Sequence, residues 1–156
     1  MNWMMIQTVD GPAAWKAIWV PLVAWFVAQA LKVLINFVRK KQFNMSLMWS
    51  PGGMPSAHSA LMCALATTIG LMYGFDSPLF AISLAVAFIV MYDAAGVRRT
   101  VGYQSTVLNK MLDELFKGDR EFSQRLAEII GHTKWEVFAG AMLGVVLALL
   151  FSWPWS

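Results

Sequence analysis

The chain has 156 residues, of which 58% are hydrophobic and 13% charged, with eight Trp and eleven Met. A soluble domain carries about 25% charged residues, so this composition excludes an ordinary soluble protein and describes one integral membrane domain over 1–156. The net charge of +3 sits in bases near membrane ends, a topology signal before a nucleic-acid one. One Cys with two His excludes a disulfide framework and a zinc site of the usual type.

The first twelve residues are a short lead. No basic region precedes the first apolar run and no small-residue cleavage site follows it, so the N-terminus does not read as a signal peptide. The first long helix is predicted over Ala13 to about Lys41, with Trp15, Trp19 and Trp25 suited to an interfacial belt and Pro21 tolerated as a kink at most. Gln29, Lys32, Asn36 and Arg39 recur at helical spacing and share one face. Lys32 is followed by Val33, Leu34 and Ile35, and a lysine with hydrocarbon on both sides is costly unless it works. Lys40 and Lys41 read as ordinary membrane anchors. The other four read as a polar interior face.

A loop over 42–55 follows, and its Ser50-Pro51-Gly52-Gly53-Met54-Pro55 forbids a regular element. Ser56 is placed to cap a second apolar helix that runs to Tyr73, with His58 in its first turn. A glycine-rich loop feeding a helix N-terminus offers backbone N–H groups and the positive end of the helix dipole to an anion. Gly74 to Pro78 is a tight turn without a base, and a third helix spans about Pro78 to Ala95. These two helices are near the short end for a span of about 20 residues. The third ends in Asp93-Ala94-Ala95-Gly96-Val97-Arg98-Arg99, where the arginines serve either as anchors or as anion ligands, and Asp93 either holds an arginine or satisfies backbone.

The stretch 100–131 is the extended non-membrane region. Leu108, Met111, Leu112, Leu115 and Phe116 mark one amphipathic helix, and Phe122, Leu126, Ile129 and Ile130 a second. Together they predict a hairpin over about 104–130 that lies against the membrane face or the other helices without spanning. Gly131-His132-Thr133-Lys134-Trp135-Glu136 opens the last helix, which runs to about Trp153. His132 and Glu136 are four apart, so their side chains adjoin on a helix, and Gly140 with Gly144 forms a stripe for close helix contact. The turn between helices two and three has no Lys or Arg, whereas 39–41 and 98–134 are rich in them. Both termini are therefore expected outside, with the basic loops and every polar group named above on the cytoplasmic side of an inner membrane.

Lys32 and Arg39 separated by six residues, then Pro55-Ser56-Ala57-His58, then an arginine, then His132 with an acid at 136, resemble the three motifs of the type 2 phosphatidic acid phosphatases, a superfamily that includes the vanadium haloperoxidases. Gly-Gly-Met-Pro-Ser-Ala-His-Ser, Asp-Ala-Ala-Gly-Val-Arg-Arg and Gly-His-Thr-Lys-Trp-Glu-Val are closer to its divergent branch, the acid phosphatase/vanadium haloperoxidase-related proteins. The resemblance covers about 28–144. Departures are Ala57 for a glycine, Lys40 for a proline, Glu136 for an aspartate, and an arginine separated from His132 by the hairpin. Arg125 is nearer in sequence but falls on the exposed face of the second hairpin helix, so Arg98 or Arg99 is preferred.

The resemblance implies an all-α membrane protein that hydrolyses a lipid phosphomonoester, such as phosphatidylglycerophosphate or phosphatidic acid, without a metal or other cofactor. It implies His132 as nucleophile, giving a phosphohistidine, and His58 as general acid. Independently of it, a phosphate needs cations, here Lys32, Arg39 and Arg98 or Arg99, and donors at a helix start, here Ser56 and the Ala57 and His58 backbone. Glu136 would orient His132, with Asp93 and Asn36 in support. The expected partners are the phosphorylated lipid and membrane lipid, not nucleic acid; a homo-oligomer is compatible with this reading. The alternative from another class is a non-catalytic membrane module that binds or transports anionic lipid heads or phosphate.

Overall fold

The computed structural model describes residues 15–41, 45–48, 53–115 and 131–152. The described residues form α1 (Lys16–Lys40), a short 3-10 turn (Met45–Met48), α2 (Ala57–Tyr73), α3 (Pro78–Ala95), α4 (Val97–Leu115) and α5 (Lys134–Ser152), with no strand among them. α1, α3 and α5 are long and apolar enough to cross a bilayer, and α2 is a shorter apolar helix among them. The protein is an all-α integral membrane protein built on these four.

Local signals account for the helix limits. Ser56 caps α2 by accepting from Ser59 N–H, and Ser77 caps α3 by accepting from Phe80 N–H at 3.2 Å with Pro78 behind it. Pro21 sits inside α1 without ending it. α2 is the centre of the bundle, packed on α1, α3 and α5. Its core is made of small side chains: Val20, Ala24, Ala64 and Ala148 form one cluster, and Ala28, Ala57 and Ala60 another. Lipid tails are as apolar as leucine, so helices in a bilayer gain little by hiding large side chains from them and gain more by close backbone approach. Gly140 and Gly144 bear this out. A Cβ on the first would strike Ser56 O and on the second Ala60 O, so α5 lies directly on the α2 backbone. At the far end Thr68 Oγ1 and Ser152 Oγ, both buried, share a hydrogen bond of 3.1 Å between the same two helices.

The expected amphipathic helix exists but starts earlier than position 104. Gly96 does not stop α3. It keeps right-handed helical geometry, its N–H donates to Tyr92 O at 2.9 Å, and Thr100 N–H donates to Gly96 O at 3.0 Å. The chain thus turns straight into α4 at Val97, and Arg98 and Arg99 lie in the first turn of a helix instead of a loop. The second half of the expected hairpin, with Arg125, lies outside the described residues.

Candidate active site

The polar face of α1 grades from covered to open. Gln29 and Lys32 are buried at 7% and 5% exposure, Asn36 is half-buried and Arg39 is exposed. Lys32 lies eight residues before the end of α1, about 12 Å down the helix axis. The stem of Lys32 rests on Gly53, where a Cβ would stand 3.3 Å from its Cγ and Cδ. Gly53 also has φ +85, a left-handed conformation that suits glycine. The glycine-rich loop therefore does two things in one place: it turns the chain into α2, and it leaves room for the lysine.

Ser56 is fully buried at the start of α2. Its Oγ accepts from Ser59 Oγ at 3.0 Å and from Ser59 N–H at 3.4 Å. Its N–H donates to Glu136 O at 3.0 Å, which ties the loop to the start of α5. Ala57 turns its side chain into the Ala28–Ala60 contact, so only its backbone is available to a ligand. His58, one residue on, is exposed.

The start of α5 is a reciprocal cap. Glu136 N–H donates to Thr133 Oγ1 at 3.3 Å, and Thr133 N–H donates to Glu136 Oε2 at 3.1 Å. The same Oε2 lies 3.1 Å from His132 Nδ1, with the histidine buried. His132 precedes the helix, yet the pairing expected from the spacing is present. A carboxylate only accepts, so Nδ1 carries the proton; in the neutral imidazole the lone pair is then on Nε2. The His132 backbone N–H donates to Ala94 O at 3.1 Å, anchoring the residue on the end of α3 beside the half-buried Asp93. The Glu136 carboxylate is also within electrostatic reach of the Lys32 ammonium.

Lys32 on Gly53, Ser56 on Glu136 and Glu136 on His132 are direct contacts, and the charges of Lys32 and Glu136 link them across three separated stretches of sequence. Arg39 and Arg99 are exposed at the same end of the bundle, and the Arg98 side chain lies outside what the structure describes. Sequence reasoning passed over Thr133, although Thr133-x-x-Glu136 is a capping-box pattern that could have revealed it. It placed Gln29 on the polar face but gave it no role. Gln29 Oε1 is buried with no hydrogen-bond partner, which no sequence pattern signals.

The model of the divergent PAP2 family matches residues 14–147. The chain belongs to that family. The matched range includes the stretches that hold Lys32 and Arg39, Ser56 and His58, and His132 and Glu136. The chain is also 40% identical over 143 residues to the uncharacterized membrane protein YuiD of Bacillus subtilis (strain 168), covering 85% of this chain and 90% of that one. No solved structure matches it. Among the described residues no group of three or more His, Cys, Asp or Glu is arranged to hold a metal ion.

Proposed function

We propose that this divergent PAP2 protein is a membrane-embedded phosphatase, with its site on the cytoplasmic side of an inner membrane, acting on a lipid phosphomonoester such as phosphatidylglycerophosphate or phosphatidic acid. The observation that carries the reading is His132 Nδ1 on Glu136 Oε2 at 3.1 Å, with Lys32 and Ser56 alongside. A buried imidazole held in one tautomer by a carboxylate is an activated nucleophile, and a bare binding site has no need of it.

The chemistry balances as two displacements. His132 Nε2 attacks phosphorus, the N–P bond forms as the P–O bond to the lipid alkoxide breaks, and His58 gives its proton to that oxygen. Glu136 stabilises the positive imidazole. Water then attacks the phosphohistidine, His58 takes a proton from it, and the N–P bond breaks to release phosphate and restore His132. Lys32, Arg39 and one of Arg98 or Arg99 balance the charge on the phosphoryl oxygens, so the step as written uses side-chain cations throughout. Ser56 Oγ accepts both bonds from Ser59, which leaves its own O–H to donate to a phosphate oxygen.

The test is phosphate release by purified protein from phosphatidylglycerophosphate, phosphatidic acid and prenyl phosphates. Turnover is expected with at least one, and His132→Ala is expected to abolish both turnover and an acid-labile phosphoenzyme. Binding of these lipids without turnover would instead select the anion-binding module. A phosphoenzyme that persists in His132→Ala would remove the mechanism.

A further inference from the structure

Ser59 uses its hydroxyl in a way that its helix does not require. A serine or threonine inside a helix ordinarily donates to a carbonyl one turn back. Ser83 Oγ donates to Phe80 O at 2.8 Å, Thr100 Oγ1 to Gly96 O at 3.2 Å, Ser105 Oγ to Val101 O at 3.0 Å and Thr106 Oγ1 to Gly102 O at 3.1 Å. Thr68 and Ser152 use theirs to join two helices. Ser59 Oγ does neither. It donates to Ser56 Oγ, in the same helix start, at 3.0 Å.

Both serines are completely shielded from solvent. An N-cap needs one bond, and Ser59 N–H supplies it to Ser56 Oγ at 3.4 Å. The bond from Ser59 Oγ is a second one, and it fills the remaining lone pair of Ser56 Oγ. The Ser56 hydroxyl can then only donate. No acceptor for its proton lies among the described residues. A buried hydroxyl proton left in that state is costly unless a ligand brings the acceptor. The backbone of Ser56 is held as firmly. Its N–H is on Glu136 O at 3.0 Å, and Gly140 lies so close that a Cβ there would strike the Ser56 carbonyl. With the backbone fixed by α5, the direction of the hydroxyl proton is the freedom that Ser59 removes.

We infer that Ser59 is a positioning residue for anion binding: its two bonds occupy both acceptor sites of Ser56 Oγ and so aim the Ser56 proton at an unprotonated phosphate oxygen. Ser59 touches no ligand itself. The hydrogen bond it gives also polarises Ser56 and strengthens the bond that Ser56 gives in turn. The inference rests on a phosphate group at Ser56, which the phosphatase and the binding module share, so binding reads it rather than turnover.

The full chain, purified in detergent, is titrated with inorganic phosphate as wild type, Ser59→Ala, Ser56→Ala and the double variant. Ser59→Ala is expected to weaken phosphate binding about 3- to 10-fold, the scale of one hydrogen bond. In the Ser56→Ala background the same change should cost nothing, because no hydroxyl is left to aim. Ser59→Cys keeps the shape with a weaker donor, so its affinity should fall between those of wild type and Ser59→Ala. It takes the place of Ser59→Ala in the cycle if that variant does not fold. An equal loss in both backgrounds means that Ser59 only supports the helix start, and overturns the inference. Unchanged affinity in Ser59→Ala overturns it too, as does a wild type that binds no phosphate. The expected coupling without turnover of any lipid would keep Ser59 in this role and remove the phosphatase reading.

Discussion

Two regions beside the end of α3 differ in what they hide. Where α1, α2 and α5 meet, polar side chains lie buried among small apolar ones: Gln29, Lys32, Ser56, Ser59 and His132. Where α3 turns into α4, the exposed side chains are apolar: Phe88, Ile89, Tyr92, Val97 and Val101. In water both would be faults. In a bilayer both follow from one rule, because polar groups must find partners inside the protein while apolar ones may face lipid at no cost. The polar cluster is held by bonds between distant segments, Ser56 N–H to Glu136 O and His132 N–H to Ala94 O. α4 is joined to α3 by the helical bonds Gly96 N–H to Tyr92 O and Thr100 N–H to Gly96 O. The first region is built to keep a geometry and the second to meet a fluid surroundings.

The contrast can be broken most sharply at Lys32. Lys32→Met keeps the stem that rests on Gly53 and deletes the charge, so turnover is expected to fall about 100- to 1,000-fold, the scale of losing one transition-state charge ligand. Phosphate-release kinetics on the purified variant measure it; a loss below tenfold would take Lys32 out of the phosphate cradle. Next in size is Gly144→Leu. Its Cβ meets the Ala60 backbone, and overpacking of this kind costs about 1–3 kcal/mol. Thermal unfolding in detergent should show a lower Tm, and an unchanged Tm would mean that α5 does not lie on α2 as described.

A smaller effect is expected at the cap of α5. Thr133→Ala removes the acceptor for Glu136 N–H, at about 1 kcal/mol. It leaves the Thr133 N–H bond to Glu136 Oε2 in place, so turnover should fall less than in Lys32→Met. Unfolding and kinetics on one preparation separate the two effects. Smallest of all, Met111→Ser on the exposed stripe of α4 should shift bundle stability in detergent by no more than about 0.5 kcal/mol. A clear drop in Tm would show that the stripe is covered by protein.

Much of this was legible in the chain. The limits expected for α2 and α3 agree with the structure within a residue, because Ser56, Ser77-Pro78 and Gly74 act on their own neighbours. The polar face of α1 follows from helical spacing, and the His132–Glu136 contact from the same four-residue separation although His132 precedes the helix. The start of α4 was misplaced because Gly96 is permissive: it can end a helix or continue one, and here it continues. The contact of Gly53 with Lys32 joins residues twenty-one apart, and no periodicity encodes it.

Composition and local spacing by themselves determined that this is a helical membrane protein, where its helices run, and which residues carry charge inside apolar surroundings. The physical reason is that helix formation, capping and membrane residence depend on neighbours within a turn or on the average of a segment. The tertiary structure decided which of those residues meet. Only the packing of α5 on α2 puts Glu136 O on Ser56 N–H, and only the end of α3 holds the His132 backbone. It also decided that the apolar stripe of α4 faces away from its buried Gly102 and Asn109, since amphipathic spacing states that a helix has an apolar side but not what that side faces.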